Sequence, residues 1–358
     1  MHPFIRCTLE RGRYVVFLFA LFALPGSAVA TPSSAAAPPV PTRVSAIRPA
    51  NVPDDYVVTP NGYFHPDCVH RIAAGERVRA DGSIERANGS RTAVAPCTHA
   101  RYSASGIRSA AAASPAGAWP LPDLRVAAST PPPEIAGYVV AGYFIDQANP
   151  PRELDASMVV PAAPADAQEQ TIYLFPGLVD YENENTILQP VLAWNGFNDH
   201  AWTIASWNCC NSGGANHSDP VAVSPGDVIA GVMRGSNCGA NLCTDWAVIS
   251  TDQNTTQSTT LDALAQGQVF DWVFGAALEV YGVTTCAQYP ASGHALFEAI
   301  QLSDMSGSDS YGIYPWVSWF PASILFIDGF EAATSNCPYG LSLDGNPPAT
   351  GLRINWSN

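Results

Sequence analysis

The chain has 358 residues, nine cysteines and a formal net charge of −15, and it contains no lysine. Residues 31–130 carry ten arginines against seven acidic residues, a net +3, whereas residues 131–358 carry three arginines against twenty-three acidic residues, a net −20. A body this acidic argues against nucleic acid or an anionic membrane as a partner.

The first thirty residues have the pattern of a secretory signal peptide. Arg6, Arg11 and Arg13 precede an apolar run from Tyr14 to Leu24, which is too short to cross a bilayer. Small residues at Ala28-Val29-Ala30 predict cleavage after about Ala30. We therefore expect a secreted protein, with residues 1–30 removed and no membrane partner.

Removal of residues 1–30 takes away Cys7 and leaves eight cysteines. Because exported proteins meet an oxidising environment, we expect these cysteines to form disulfides. Their connectivity stays open, but Cys68 and Cys97 share one N-terminal segment, and Cys238–Cys243 would close a short loop. A zinc site is the alternative. No CxxC pair and no HExxH motif occurs, so we expect no metal and no other cofactor.

Residues 31–134 form an N-terminal region with Ala- and Pro-rich linkers, the second ending in Pro131-Pro132-Pro133. Between the linkers, turn signals such as Pro60-Asn61-Gly62 and Asp81-Gly82 predict short hairpins. So small a segment needs a disulfide to hold it. We expect a propeptide-like or accessory region.

The body, residues 135–327, consists of short apolar or alternating runs bounded by turn residues, from Gly137–Ile145 to Ala322–Ile327. Helical periodicity is almost absent. This pattern predicts an all-β fold, a two-sheet antiparallel β-sandwich of the concanavalin A-like or jelly-roll type. Residues 328–358 are expected to be a C-terminal tail that forms an appendage.

A scan for catalytic motifs finds no GxSxG elbow, no Walker loop and no GxGxxG. The histidines of the body are His200, His217 and His294. The first two fall in polar stretches and the third begins an apolar run, so a solvated imidazole is expected for each. Carboxylates and amides remain as candidates.

Gln189 and Glu279 each interrupt an apolar strand. By alternation Gln189 shares a face with Val191 and Ala193, and Glu279 shares a face with Tyr281. On neighbouring strands, an amide and a carboxyl would hold a water between them. The alternative is that both lie on the solvated side of a half-buried sheet. Five tryptophans nearby favour a cleft for a peptide or sugar: Trp194, Trp202, Trp207, Trp246 and Trp272.

The order and spacing of several motifs resemble glutamic endopeptidases of the eqolisin type, over roughly residues 140–302. These motifs are Leu154–Pro161, Ile187-Leu188-Gln189 followed by Trp194, Ala201-Trp202 and Ser206-Trp207, Val223–Ile229, Ala277-Leu278-Glu279-Val280 and Phe297–Ile300.

The resemblance implies a secreted β-sandwich enzyme that is made with a propeptide, acts at acid pH and hydrolyses a protein or peptide substrate. It maps the catalytic pair onto Gln189 and Glu279, with Glu279 as general base and acid and Gln189 hydrogen-bonded to the oxyanion. Substrate contacts are expected from Trp194, Trp202, Ser206, Trp207 and Tyr281.

Two departures from the family's sequence pattern, and three alternative interpretations of the chain, stay open. Ser206 stands where the family carries a glutamate, and the family's tryptophan is missing near Leu174-Phe175. If that glutamate binds substrate, the specificity differs; if turnover requires it, the chain is a non-catalytic relative. The arginine-bearing N-terminal region is expected to cover the acidic body as an intramolecular inhibitor, or to be an accessory module that stays attached. The alternative functions are a lectin-like carbohydrate-binding or cell-surface sandwich and a structural or inhibitory exported protein. We expect a monomer.

Overall fold

The computed structural model describes residues 48–104, 106, 108–109, 135–180, 186–210, 213–265, 267–305, 309–310, 337, 339–344 and 351–357. The predicted signal peptide, most of the predicted linker 103–134 and the predicted strand Ala322–Ile327 lie outside these residues. Within them the regular structure consists of β-strands and short 3-10 helices such as Pro66–Cys68 and Cys286–Gln288.

The strands follow one another with short connections in each part of the chain. The N-terminal region contains β1 (Val57–Thr59), β2 (Gly62–Phe64), β3 (Val69–Arg71), β4 (Arg77–Val78), β5 (Ile84–Glu85), β6 (Arg91–Thr92), β7 (Arg101–Tyr102) and β8 (Arg108–Ser109). The body contains β9 (Ile135–Ile145), β10 (Pro151–Val159), β11 (Thr171–Asp180), β12 (Ile187–Trp194), β13 (Trp202–Cys209), β14 (Ala215–His217), β15 (Val221–Val223), β16 (Val228–Cys238), β17 (Cys243–Asp252), β18 (Ser258–Leu264), β19 (Phe270–Val283), β20 (His294–Asp304) and β21 (Asp309–Ser310). The tail contains β22 (Tyr339–Asp344) and β23 (Gly351–Trp356).

Two sheets pack face to face and confirm the predicted β-sandwich. The front sheet has the order β3-β14-β13-β12-β11-β19-β9, with β15 paired to β13. The back sheet has the order β22-β23-β20-β10-β16-β17-β18-β4-β5-β6, with β21 paired to β20. Side chains such as Leu154, Leu192 and Val248, from strands of both sheets, fill the core between them. Period-two alternation decides which side chains enter that core.

The other face of the front sheet is covered by the N-terminal region. A second apolar layer joins Tyr56, Val58 and Tyr63 of this region to Tyr173 and Tyr281 of the front sheet. The N-terminal region, from here on called the cover, therefore has no separate core, because its apolar side chains are buried against the body. This agrees with the expectation that so short a segment cannot fold around a core of its own.

The N-terminal region also extends both sheets. Strand β3 pairs in parallel with β14 in the front sheet, and β4 pairs in parallel with β18 in the back sheet. At the same places Arg71 forms an ion pair with Asp219, and Arg77 lies 3.3 Å from Asp245. Positive charge of the N-terminal region thus meets negative charge of the body at both junctions.

The C-terminal tail is part of the back sheet, so the expectation of an appendage is wrong. Strand β23 pairs with both β20 and β22. Leu352, Ile354 and Trp356 alternate along β23 and are buried in the sandwich core. That alternation is the strand signal that the prediction overlooked.

Four disulfides connect the described cysteines. Both predicted pairs are present, Cys68–Cys97 and Cys238–Cys243, together with Cys209–Cys210 and Cys286–Cys337. Among the described residues there is no helix of the length and apolarity that a bilayer crossing requires.

Candidate active site

Gln189 lies in the middle of β12 and is completely buried. Alternation directs Leu188 and Leu192 into the sandwich core and leaves Ile187, Val191 and Gln189 on the covered face. The Gln189 side-chain oxygen accepts a hydrogen bond of 3.0 Å from Asn61 Nδ2. Its Nε2 has no hydrogen-bond partner among the described residues. A donor is therefore held in an apolar layer, where it is available to an acceptor.

Glu279 lies in β19 on the same covered face and is 1% exposed. The hydroxyl of Tyr281, two residues further along the strand, donates a hydrogen bond to Glu279 Oε1. Burial raises the pKa of Tyr281 well above its usual range, and the charge of Glu279 raises it further. Tyr281 therefore keeps its proton and remains a donor. That bond offsets part of the cost of burying a carboxylate.

The two polar residues share a face, but they do not lie on neighbouring strands as predicted. Strand β11 separates β12 from β19. Glu279 lies opposite Tyr173, and Tyr173 lies opposite Ala193, four residues along β12 from Gln189. No hydrogen bond joins the two side chains. The separation of Gln189 from Glu279 depends on how strands that are distant in sequence pair. Alternation within each strand carries no information about that pairing.

The tip of the β1–β2 hairpin covers this part of the front sheet. Asn61, in the turn, is 4% exposed and contacts Gln189. The ring of Tyr63 packs edge-on against Tyr281, with centroids 5.4 Å apart. The Tyr173 hydroxyl donates to the backbone carbonyl of Val58 at 3.2 Å. The hairpin therefore contacts Gln189 directly and packs on the two tyrosines beside Glu279.

The expected substrate contacts divide between the two faces of the front sheet. Trp207 and Tyr281 lie on the covered face with Gln189 and Glu279. Trp194 and Trp202 instead fill the sandwich core, because each lies two residues from a core residue of its own strand, Leu192 or Ile204, and points to the same face. Their assignment to substrate binding is wrong for that reason.

Ser206 also points away from the covered face. Its Oγ lies 3.1 Å from Ser250 Oγ and donates to the Thr259 carbonyl at 3.2 Å, both on the back sheet. It follows that Ser206 joins the two sheets and cannot contact a substrate beside Gln189. The glutamate that the resemblance led us to expect at position 206 would point into the sandwich interior here.

His217 is fully buried on β14, so the expectation of a solvated imidazole is wrong. It lies opposite Trp207, and Trp207 lies opposite Gln189. Its Nδ1 lies 2.9 Å from the Ser218 carbonyl and therefore carries the proton, and its Nε2 has no partner among the described residues. Burial lowers the pKa of His217 to about 4. A polar row of Gln189, Trp207 and His217 thus crosses three strands.

Metal chemistry has no support beside these residues. Among the described residues, the one group of side chains that could hold an ion is His65, Asp67 and His99 in the N-terminal region. The chemistry available on the covered face is therefore that of a carboxylate, an amide and hydroxyl groups.

Comparison with known proteins identifies structural neighbours only. Neither a scan of protein-family models nor a search of curated proteins gives a match. Scytalidoglutamic peptidase in complex with a peptide-based transition-state analogue matches with a TM-score of 0.40 at 13% identity, over 63% of this chain and 100% of that chain. Aspergilloglutamic peptidase from Aspergillus niger matches with 0.34 at 14% identity, over 52% and 99%. Lectin II from Ulex europaeus matches with 0.26 at 11% identity, over 52% and 83%. Similarity at this level carries no information about activity.

Proposed function

We propose that the chain is the precursor of a secreted endopeptidase that acts in acid, in which Glu279 and Gln189 hydrolyse peptide bonds. One observation carries the proposal. The covered face presents a buried carboxyl and a buried amide, and the segment from Val58 to Tyr63 lies across them. A face that buries one stretch of polypeptide beside a carboxyl and an amide is suited to hold another.

The chemistry assigns one task to each side chain. Glu279 takes a proton from a water molecule, whose oxygen then attacks the carbonyl carbon of the substrate. The amide of Gln189 donates a hydrogen bond to the oxygen that gains negative charge. Glu279 then gives its proton to the nitrogen as the carbon–nitrogen bond breaks. Tyr281 donates to Glu279 and fixes its orientation.

In this proposal the attacking water and the substrate enter between Gln189 and Glu279 after the cover leaves, because Asn61 and Tyr63 occupy this face while the cover is in place. In this proposal the N-terminal region is an intramolecular inhibitor, since Asn61 occupies the oxygen of Gln189 and Tyr63 lies on Tyr281. Cleavage between residues 103 and 134 would then allow the cover to leave. The ion pair of Arg71 with Asp219, beside the pairing of β3 with β14, would then have to separate.

The test is activity of the purified secreted chain at pH 3–5 against a denatured protein. We expect self-cleavage between residues 103 and 134, followed by digestion of the substrate. Glu279→Gln and Gln189→Ala should each abolish both events while the far-ultraviolet circular dichroism stays unchanged. Glu298→Gln and Gln301→Ala, on β20 of the back sheet, are matched controls that should retain activity.

Proteolysis that persists in both site variants would refute the assignment. Binding of glycans by the uncovered body without proteolysis would favour the lectin-like alternative. An inactive protein that binds neither peptide nor glycan would favour a structural role. Because Trp207 and Trp272 also lie on the covered face, the glycan assay is run on the same preparations.

A further inference from the structure

A cluster of metal-ligating side chains lies in the N-terminal region, and the proposed reaction does not use it. One ring nitrogen each from His65 and His99 and one carboxylate oxygen of Asp67 lie within 4.8 Å of one another. The two imidazole rings are nearly parallel, with centroids 3.6 Å apart and an angle of 4° between their planes. Asp55 Oδ2 lies 3.4 Å from His65 Nε2. Two imidazoles and two carboxylates therefore converge.

The Cys68–Cys97 disulfide brings these side chains together. Asp67 directly precedes Cys68, and His99 follows Cys97 by two residues, so the crosslink sets their separation. Tyr56 supports both sides of the cluster. Its ring packs edge-on against His65 at 5.7 Å, and its hydroxyl donates to the Ala100 carbonyl at 2.8 Å. The cluster is thus held by a crosslink and a buried tyrosine.

We propose that His65, His99 and Asp67 form a binding site for a divalent transition-metal ion, with Zn²⁺ as the best fit. Imidazole nitrogen and carboxylate oxygen are both zinc ligands, whereas calcium and magnesium are bound by oxygen ligands. Three protein ligands leave a fourth position for water, and Asp55 lies beside the other ring nitrogen of His65, where it would orient that imidazole. The carboxylates of Asp55 and Asp67 balance the charge of the ion.

Side chains have to rearrange to accept the ion. Ligand atoms around tetrahedral zinc are separated by about 3.3 Å, because zinc–ligand bonds are about 2.0 to 2.1 Å long. Asp67 Oδ2 is 3.6 Å from His65 Nδ1, which accepts a hydrogen bond from the Asp67 backbone N–H, so the ion would replace that hydrogen bond. The two stacked rings would have to turn out of parallel, because each nitrogen directs its lone pair within the plane of its own ring.

Bound metal would secure the hairpin that covers the candidate active site. His65 directly follows Phe64, the last residue of β2, and β2 begins one residue after Asn61. An ion held by His65 and His99 would tie the end of this hairpin to the segment beyond Cys97. We therefore expect metal to slow the local opening of residues 57–64.

The first experiment measures zinc binding by the purified secreted chain, prepared without a polyhistidine tag and dialysed against a chelator. Titration calorimetry should give one equivalent of Zn²⁺, and Mg²⁺ should give no binding. Co²⁺ should produce the visible absorption of a tetrahedral site. Hydrogen exchange of residues 57–64 should slow when Zn²⁺ is added.

Zinc binding by variants tests which side chains hold the ion. His99→Ala should abolish zinc binding, and Asp67→Asn, on the exposed side chain, should weaken it at least tenfold without affecting folding. His294→Ala, at the start of β20, is the matched control and should bind as the unaltered chain does. No zinc binding, or equal affinity in His99→Ala, Asp67→Asn and the unaltered chain, would overturn the proposal. None of these measurements depends on peptidase activity.

Discussion

The side-chain amide of Asn61 donates a hydrogen bond of 3.0 Å to the side-chain oxygen of Gln189, across 128 residues of sequence. Both groups are buried, at 4% and 0% exposure. The bond supplies a partner to a polar group that would otherwise be costly in an apolar layer. It also means that the hydrogen-bonding capacity of Gln189 is partly satisfied by the cover; under the proposed function, an amide group of the substrate would take the place of Asn61.

Asn61→Ala should loosen the cover. The substitution leaves the oxygen of Gln189 buried without its donor, which costs about 1 to 3 kcal/mol. We expect faster hydrogen exchange in residues 56–64 at neutral pH. Asn149→Ala, at an exposed position, is the control and should leave exchange in this segment unchanged. Equal exchange in both variants would mean that the bond does not hold the hairpin in place.

Gly62→Ala should displace the hairpin more strongly. Gly62 has a φ of +111°, and a Cβ atom there would lie 2.3 Å from the backbone oxygen of Tyr102. Gly89 also has a positive φ, +78°, but no atom lies within 4 Å of a Cβ at that position. Gly89→Ala therefore isolates the cost of the backbone conformation, about 1 to 3 kcal/mol. Limited proteolysis should cut the N-terminal region of Gly62→Ala much faster than that of Gly89→Ala.

Burial of His217 should make the protein less stable in acid. Its pKa is about 4 in the folded chain against 6.5 in an exposed imidazole, so the unfolded chain binds the proton more tightly. Stability is therefore lost as the pH falls from 6.5 to about 4, and the loss is constant below that. The full difference corresponds to about 3 kcal/mol. Denaturant unfolding at a series of pH values measures it.

His217→Gln removes this titration and should flatten the pH dependence of unfolding between pH 6.5 and 4. His200→Gln is the control, because His200 is exposed. If His217→Gln keeps the full pH dependence, acid destabilisation has its origin in other groups. Since β14 pairs with β3, a weakened β14 also weakens one attachment of the cover.

Tyr281→Phe tests the orientation of Glu279. The ring stays in place, but the hydrogen bond to Glu279 Oε1 is lost. Under the proposed function we expect turnover to fall by about ten- to a hundredfold, in line with the loss of one positioned charge-assisted hydrogen bond. Tyr289→Phe removes a buried hydroxyl that contacts Tyr339 and should leave turnover unchanged. Equal turnover in both variants would remove Tyr281 from the mechanism.

Alternation along single strands predicted much of the candidate site. It placed Gln189 with Val191 and Ala193, and Glu279 with Tyr281, as the structure has them. The same alternation puts Trp194 with Leu192, on the opposite face, so the error about Trp194 could have been avoided. Ser206 directly precedes Trp207 and therefore likewise points to the opposite face of β13 from Trp207.

Relations between distant segments could not be predicted in this way. Nothing local shows that β11 lies between β12 and β19, because the pairing depends on the whole sheet. The contact of Asn61 with Gln189 is of the same kind. His65 and His99 are an intermediate case, since the expected Cys68–Cys97 disulfide already implied that their segments meet.

Strands β3 and β4 have a consequence beyond covering one face. Each pairs in parallel with an edge of the body, β3 with β14 and β4 with β18. Under the proposed function, release of the N-terminal region would leave backbone donors and acceptors of both edges without these partners. Open strand edges are templates for pairing with another chain. We therefore expect the released body to self-associate as its concentration rises, whereas the intact chain does not.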